Sequence, residues 1–264
     1  MTTHPNVTTR KALLALALSL ATMLGVGAAL AQGMGETSTV RVTLTNTSPQ
    51  VISPPLLIAH DADYAPFLIG GEATPELARL AEDGDASELA AITRLDPAVA
   101  AVVIADGPLP PGQSVTLEVE TSEEQPYLTV LGMLVTTNDA FLVWTGDARE
   151  LDPMSMTMAD DAMTADGATS MDDPSAMGGM DAMDAMGAAP PPHDAVVRVF
   201  DAGSEANTER CDQIPGPPCG SAGARALEGA EGHVALHGGI LGVGDLDPAE
   251  WDWRNPVLEV AAGG

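Results

Sequence analysis

The sequence predicts a mainly β protein, an antiparallel β-sandwich carrying a few short helices. Three observations predict it: many short runs that alternate apolar and polar residues, turns rich in Pro and Gly between them, and helical spacing confined to one stretch near residue 80. Residues 39–48 begin the pattern, with Val40, Val42 and Leu44 alternating against polar neighbours as in a half-buried strand. QVISPPLLIAHD, residues 50–61, reads as a second strand interrupted by Pro54 and Pro55, which suits a sheet edge because proline cannot donate to a ladder. Residues 73–95 carry the helical spacing through Leu77, Leu80, Leu89 and Ile92. There Thr74 stands as an N-cap before Pro75 at the first helical position, and Glu82-Asp83-Gly84-Asp85 splits the run into two short helices.

AVAAVVIADG, 98–107, fits either a strand or a buried helix. Residues 108–122 form a turn and then an alternating strand on Val115, Leu117 and Val119. Residues 126–146 read as two strands about a turn at Thr137-Asn138-Asp139. AVVRVFDAG (195–203) is a strand running into a loop, and HVALHGGIL and PVLEVAA close the domain. The expected domain therefore comprises residues 32–151 and 194–264.

The first 31 residues have the layout of an export signal: Arg10 and Lys11, an apolar run over 12–30, and Ala29-Leu30-Ala31 as the small-x-small cleavage pattern. The competing reading is an uncleaved anchor, but the apolar run is barely long enough to span a bilayer. Cleavage before Gln32 removes two basic residues and no acid, leaving eight basic against 38 acidic residues, a formal charge of −30. Such a surface repels nucleic acid and anionic lipid and attracts cations. It also fits a protein adapted to high external salt, which screens self-repulsion. The mature chain is expected to be a monomer, periplasmic or extracellular, without stable membrane insertion.

Cys211 and Cys219, with seven residues between them, are expected to form a disulfide in an exported chain rather than two free thiols. A ring that small contributes roughly 2.5 kcal/mol in the loop-entropy model.

Residues 152–193 break the pattern. This Met-, Asp-, Ala- and Gly-rich stretch has almost no aromatic or β-branched residues and is expected to be a disordered insertion between two strands. Nine of the 13 methionines lie in it. Met154, Met156 and Met158, and Met177, Met180, Met183 and Met186, have spacings at which soft thioethers wrap Cu(I). An inert linker and a sacrificial oxidant trap are the competing readings. The copper reading supplies an alternative function, periplasmic metal handling with the sandwich as scaffold.

A second metal question arises in FDAGSEAN, 200–207. Calcium takes six to eight hard oxygens in flexible geometry. Asp201 and Glu205 lie four apart around Gly203, so a curled loop brings both carboxylates together. Asp139, at the other predicted turn, is the candidate third carboxylate if the strands that lead into the two turns are neighbours. Three such groups repel one another, and a divalent cation relieves the repulsion.

Three motifs in order, MLVTTNDAFLVWTG (133–146), FDAGSEANTERCDQIPGPPCG (200–220) and EGHVALHGGILGVGDLDPAEWDWRNPVLEV (231–260), resemble bacterial spondin-domain proteins. The resemblance spans most of residues 38–262, including the AEDGD stretch at 81–85, and omits the Met-rich insertion. It implies a β-sandwich related to calcium- and phospholipid-binding domains, and an adhesion-type module that engages an as yet unnamed macromolecule or matrix component. It also implies a calcium site formed by Asp139, Asp201 and Glu205. The chain departs from the pattern at 205, where Glu stands for the more familiar Asp.

The remaining residues have structural readings. Trp251, Trp253, Arg254 and Pro256 are expected to pack the last strand, Asp245 and Asp247 to cap a turn, and His233 and His237 to share one strand face. No Gly-x-Ser-x-Gly, His-Glu-x-x-His or phosphate-binding glycine loop is present, so no enzymatic activity is expected.

Overall fold

Two antiparallel sheets and a layer of helices make up the structure, a computed structural model that describes residues 37–151, 196–221, 224–253 and 257–263. The signal stretch and the Met-rich segment lie outside these residues, and with them every methionine of the copper reading.

The smaller sheet has the order β4-β1-β9, from β1 (Thr37–Asn46), β4 (Ser114–Ser122) and β9 (Leu258–Ala262). Here the alternation holds, because one face is wet. Val42 opposes Leu117 and Leu44 opposes Val115 toward the core, while Thr43–Thr116 and Thr45–Ser114 pair hydroxyls at 2.9 and 2.8 Å on the outer face.

The larger sheet has the order β3-β2-β5-β6-β7-β8. Its strands are β2 (Leu56–His60), β3 (Val99–Ile104), β5 (Tyr127–Met133), β6 (Ala140–Asp147), β7 (Arg198–Asp201) and β8 (Ala235–Leu236). One face packs on the smaller sheet through Leu57, Leu128, Val130, Leu142 and Trp144, which meet Val42, Leu44, Val119 and Leu258. The opposite face is also covered. Leu56, Ile58, Leu131, Phe141 and Phe200 pack beneath helices α1 (Pro75–Asp83) and α2 (Ser87–Thr93) and Phe67. Burial on both faces explains why β6 is buried along its whole length and opens with an unbroken apolar run, Ala140 to Trp144, rather than alternating.

Two expectations change. The strand after Pro54-Pro55 is not an edge. The prolines precede β2, which runs buried between β3 and β5, while Ile52 makes only isolated bridges to Leu109 and Leu134. The run 98–107 resolves as strand β3, and this is the edge. The helix expectations hold. Thr74 accepts from the Leu77 N–H at 3.2 Å, and Gly84 ends α1 at φ 67°, a left-handed C-cap that glycine adopts without a Cβ penalty. Ile92 is 43% exposed, so only Leu89 of the α2 pair reaches the core.

Two one-turn helices complete the fold, α3 (Ala148–Leu151) and α4 (Pro248–Trp251). Asp247 caps α4 by accepting from Ala249 N at 2.9 Å, as expected, whereas Asp245 caps no local turn and instead ties its loop to Cys211 by accepting from that N–H at 2.9 Å. Trp251 and Trp253 pack on the small cluster of Ile214, Ile240 and Leu246 that holds the long loops together.

Candidate metal centre

The ladder between β6 and β7 brings the two predicted turns together. Ala140 pairs with Asp201, and the Ala202 N–H donates to the Asp139 carbonyl at 3.2 Å. Asp139 leads into β6 and Asp201 ends β7, so both carboxylates fall at one end of the larger sheet.

Asp139 is fully buried. Its Oδ2 accepts from the N–H groups of Ser204 and Glu205 at 2.8 and 2.9 Å and from Ser204 Oγ at 3.2 Å. Its Oδ1 is buried without a hydrogen-bond partner. Burial first, and the charge of Asp201 second, push the Asp139 carboxyl up to about 7. Asp201 accepts from Gly203 N at 2.6 Å through Oδ1 and from the Asn207 amide through Oδ2. Burial raises its pKa too, with those hydrogen bonds opposing.

A chain of neutral groups fixes Asn207. His237 Nδ1 accepts from the Gly239 N–H at 3.0 Å, which leaves the proton on Nε2 to donate to Asn207 Oδ1 at 2.9 Å. Asn207 Nδ2 then points at Asp201. Burial pushes His237 down to about 4, so it stays neutral in this role. His233 does not join it, because its Nδ1 contacts the Glu231 carbonyl at 2.9 Å and β8 spans only two residues.

Glu205 is placed otherwise than its spacing suggests. The side chain is fully buried, but Oε1 pairs with Arg225 Nη1 at 2.8 Å and Oε2 accepts from Ala226 N at 3.0 Å. Its backbone N–H, not its carboxylate, reaches Asp139. Among the described residues no group of three or more His, Cys, Asp and Glu side chains is gathered to hold a metal ion. The convergence expected of three carboxylates is one of two carboxylates and an amide. A guanidinium offers Glu205 an opposite charge where Asp139 and Asp201 offer two like ones.

The rest of the turn acts as scaffold. Asn138 Oδ1 accepts from the N–H groups of Thr208 and Glu209 at 3.1 and 3.3 Å. Thr136 Oγ1 donates to the Pro217 carbonyl at 2.7 Å, inside the loop closed by the Cys211–Cys219 disulfide. Gly216 of that loop lies on the Val135 backbone, where an added Cβ would sit 2.2 Å from the carbonyl oxygen. Glu209, buried, binds the N–H groups of Leu241 and Val243 at 2.5 and 2.8 Å. Thr136 and Asn138 of TTND thus tie down a separate loop, Asp139 supplies the orphan oxygen, and Thr137 closes the turn itself with Oγ1 donating to the Leu134 carbonyl at 2.6 Å.

Arg225, Asn138 and His237 were missed as members of this site. The signal for Arg225 was its rarity, one of eight basic residues in the expected mature chain.

No protein-family model matches the chain, and no curated protein gives a significant match.

Proposed function

We propose that the chain is an exported calcium-binding β-sandwich of the spondin type, in which the ion orders the loops at one end for binding another macromolecule. The observation that carries this reading is Asp139 Oδ1, an acidic oxygen buried without a partner and beside a second buried carboxylate. An orphaned buried acceptor is costly, on the order of 1–3 kcal/mol and more when charged. The donors left for an ion are all oxygen, which suits calcium rather than a soft or nitrogen-seeking metal. Asp139 and Asp201 are the residues that would hold it, and the ion would neutralise their mutual repulsion. The loops around them carry exposed apolar side chains, Leu227, Leu241 and Val243, of the kind that serve a partner surface.

The test is thermal melting of the mature protein in calcium and in chelator. Calcium at 100 times its Kd should add about 2.7 kcal/mol to stability. Removal of residues 152–193 should leave that gain intact, whereas under the copper reading it abolishes Cu(I) binding. Identical melting curves in calcium and chelator would sink the proposal.

A further inference from the structure

We propose that Arg225 sets the affinity of the Asp139–Asp201 calcium site by holding the Glu205 carboxylate out of the ligand set. This rests on the calcium reading above and adds a residue and a mechanism to it.

Glu205 is poised between two positions. Its backbone N–H lies 2.9 Å from Asp139 Oδ2, so the residue borders the ion site. Its side chain is turned the other way, with Arg225 on one oxygen and the Ala226 N–H on the other. Arg225 is itself anchored from the far side. Nη1 lies 3.3 Å from Glu82 Oε2, and Nη2 pairs with Asp83 at the end of helix α1. One guanidinium therefore serves three carboxylates from two parts of the chain, and its position is over-determined by them.

Two consequences have the same sign. Calcium affinity rises with the number of charged ligands in the site. While Arg225 holds Glu205, the ion meets two carboxylates instead of three. The guanidinium also places a positive charge on Glu205, the residue whose N–H borders the site, which opposes binding of a cation there. Arg225 thus acts as an internal cation that occupies the acid the metal would otherwise recruit. The expected outcome is a weak site, in the 10⁻⁴–10⁻³ M class of extracellular calcium modules.

Calorimetric titration of calcium chloride into the mature chain tests this, with Arg225→Gln, Arg225→Lys and the double variant Arg225→Gln/Glu205→Gln. Arg225→Gln should bind calcium about tenfold or more tightly, because a third carboxylate is released. Arg225→Lys keeps the charge and should stay within threefold of the parent. The double variant leaves no unpaired charge at position 205, so it folds even if Arg225→Gln does not, and should return to the parent affinity. A folded Arg225→Gln with equal or weaker binding overturns the inference, as does a more than tenfold loss in the double variant, which would make Glu205 a direct ligand. If the parent binds and Arg225→Gln is not tighter, this inference alone fails. If the parent shows no binding but Arg225→Gln does, the calcium function fails while the role of Arg225 stands. If neither binds, both fall.

Discussion

Asp139→Asn should stabilise the calcium-free protein at neutral pH while abolishing its response to calcium. The carboxyl is held near pKa 7 in the fold against an ordinary value of 3.8. Between those values the folded state keeps a proton that the unfolded chain has released. Stability from this group is therefore greatest below pH 4, falls as pH rises toward 7, and levels off above it. At about 1.4 kcal/mol per pKa unit the loss is on the order of 4 kcal/mol. Asparagine keeps an oxygen for Ser204 and Glu205 and turns an uncharged NH2 toward Asp201, so it removes the charge without removing the hydrogen bonds. Denaturant melts in chelator should show the parent losing clearly more stability from pH 4 to pH 7 than the variant, which keeps only the smaller loss from Asp201. With calcium at pH 7.5 the order should reverse or close, because only the parent gains an ion. A variant less stable than the parent in chelator at pH 7.5 would show that the charge of Asp139 is not a burden in the empty site.

Gly203→Ala should be the most damaging single-methyl change in the site. Gly203 sits at φ 69°, and an added Cβ would lie 2.3 Å from the His233 carbonyl oxygen and 2.6 Å from its nitrogen. Both obstacles are backbone, so no side chain can swing away. The left-handed conformation costs an alanine about 1–2 kcal/mol and overpacking a further 1–3. The expected destabilisation is about 2–5 kcal/mol, with calcium binding weakened because Gly203 N–H orients Asp201 Oδ1. Gly112→Ala is the control. Its φ is 70°, but nothing lies within 4 Å of the added carbon, so only the conformational cost of about 1 kcal/mol applies. Equal losses at the two positions would refute the steric account.

The sandwich was legible wherever one strand face meets water. β1 and β4 alternate, and the sequence shows Val42, Leu44, Leu117 and Val119 as the inward set, though not which strand pairs with which. The larger sheet was harder. Helices α1 and α2 cover its second face, which erases alternation in β6 and left residues 98–107 open between strand and helix. Pro54-Pro55 misled because a proline pair that ends just before a strand looks, in sequence, like one that interrupts it. At the site, the approach of Asp139 to Asp201 could be anticipated because one opens and the other ends a strand at a turn. The turning away of Glu205 could not. It depends on Arg225, 20 residues downstream, and on Glu82 and Asp83, more than 120 residues upstream, and no local spacing records a competition between distant charges.

The central claim is that a calcium ion lies between the two turns. Its most direct test is a crystal structure grown in calcium, with anomalous difference maps to locate the ion. The account predicts a peak within about 2.6 Å of Asp139 Oδ1 and of an Asp201 carboxylate oxygen, with Glu205 still on Arg225. Ordered loops at saturating calcium, with no peak at Asp139 Oδ1, would contradict it.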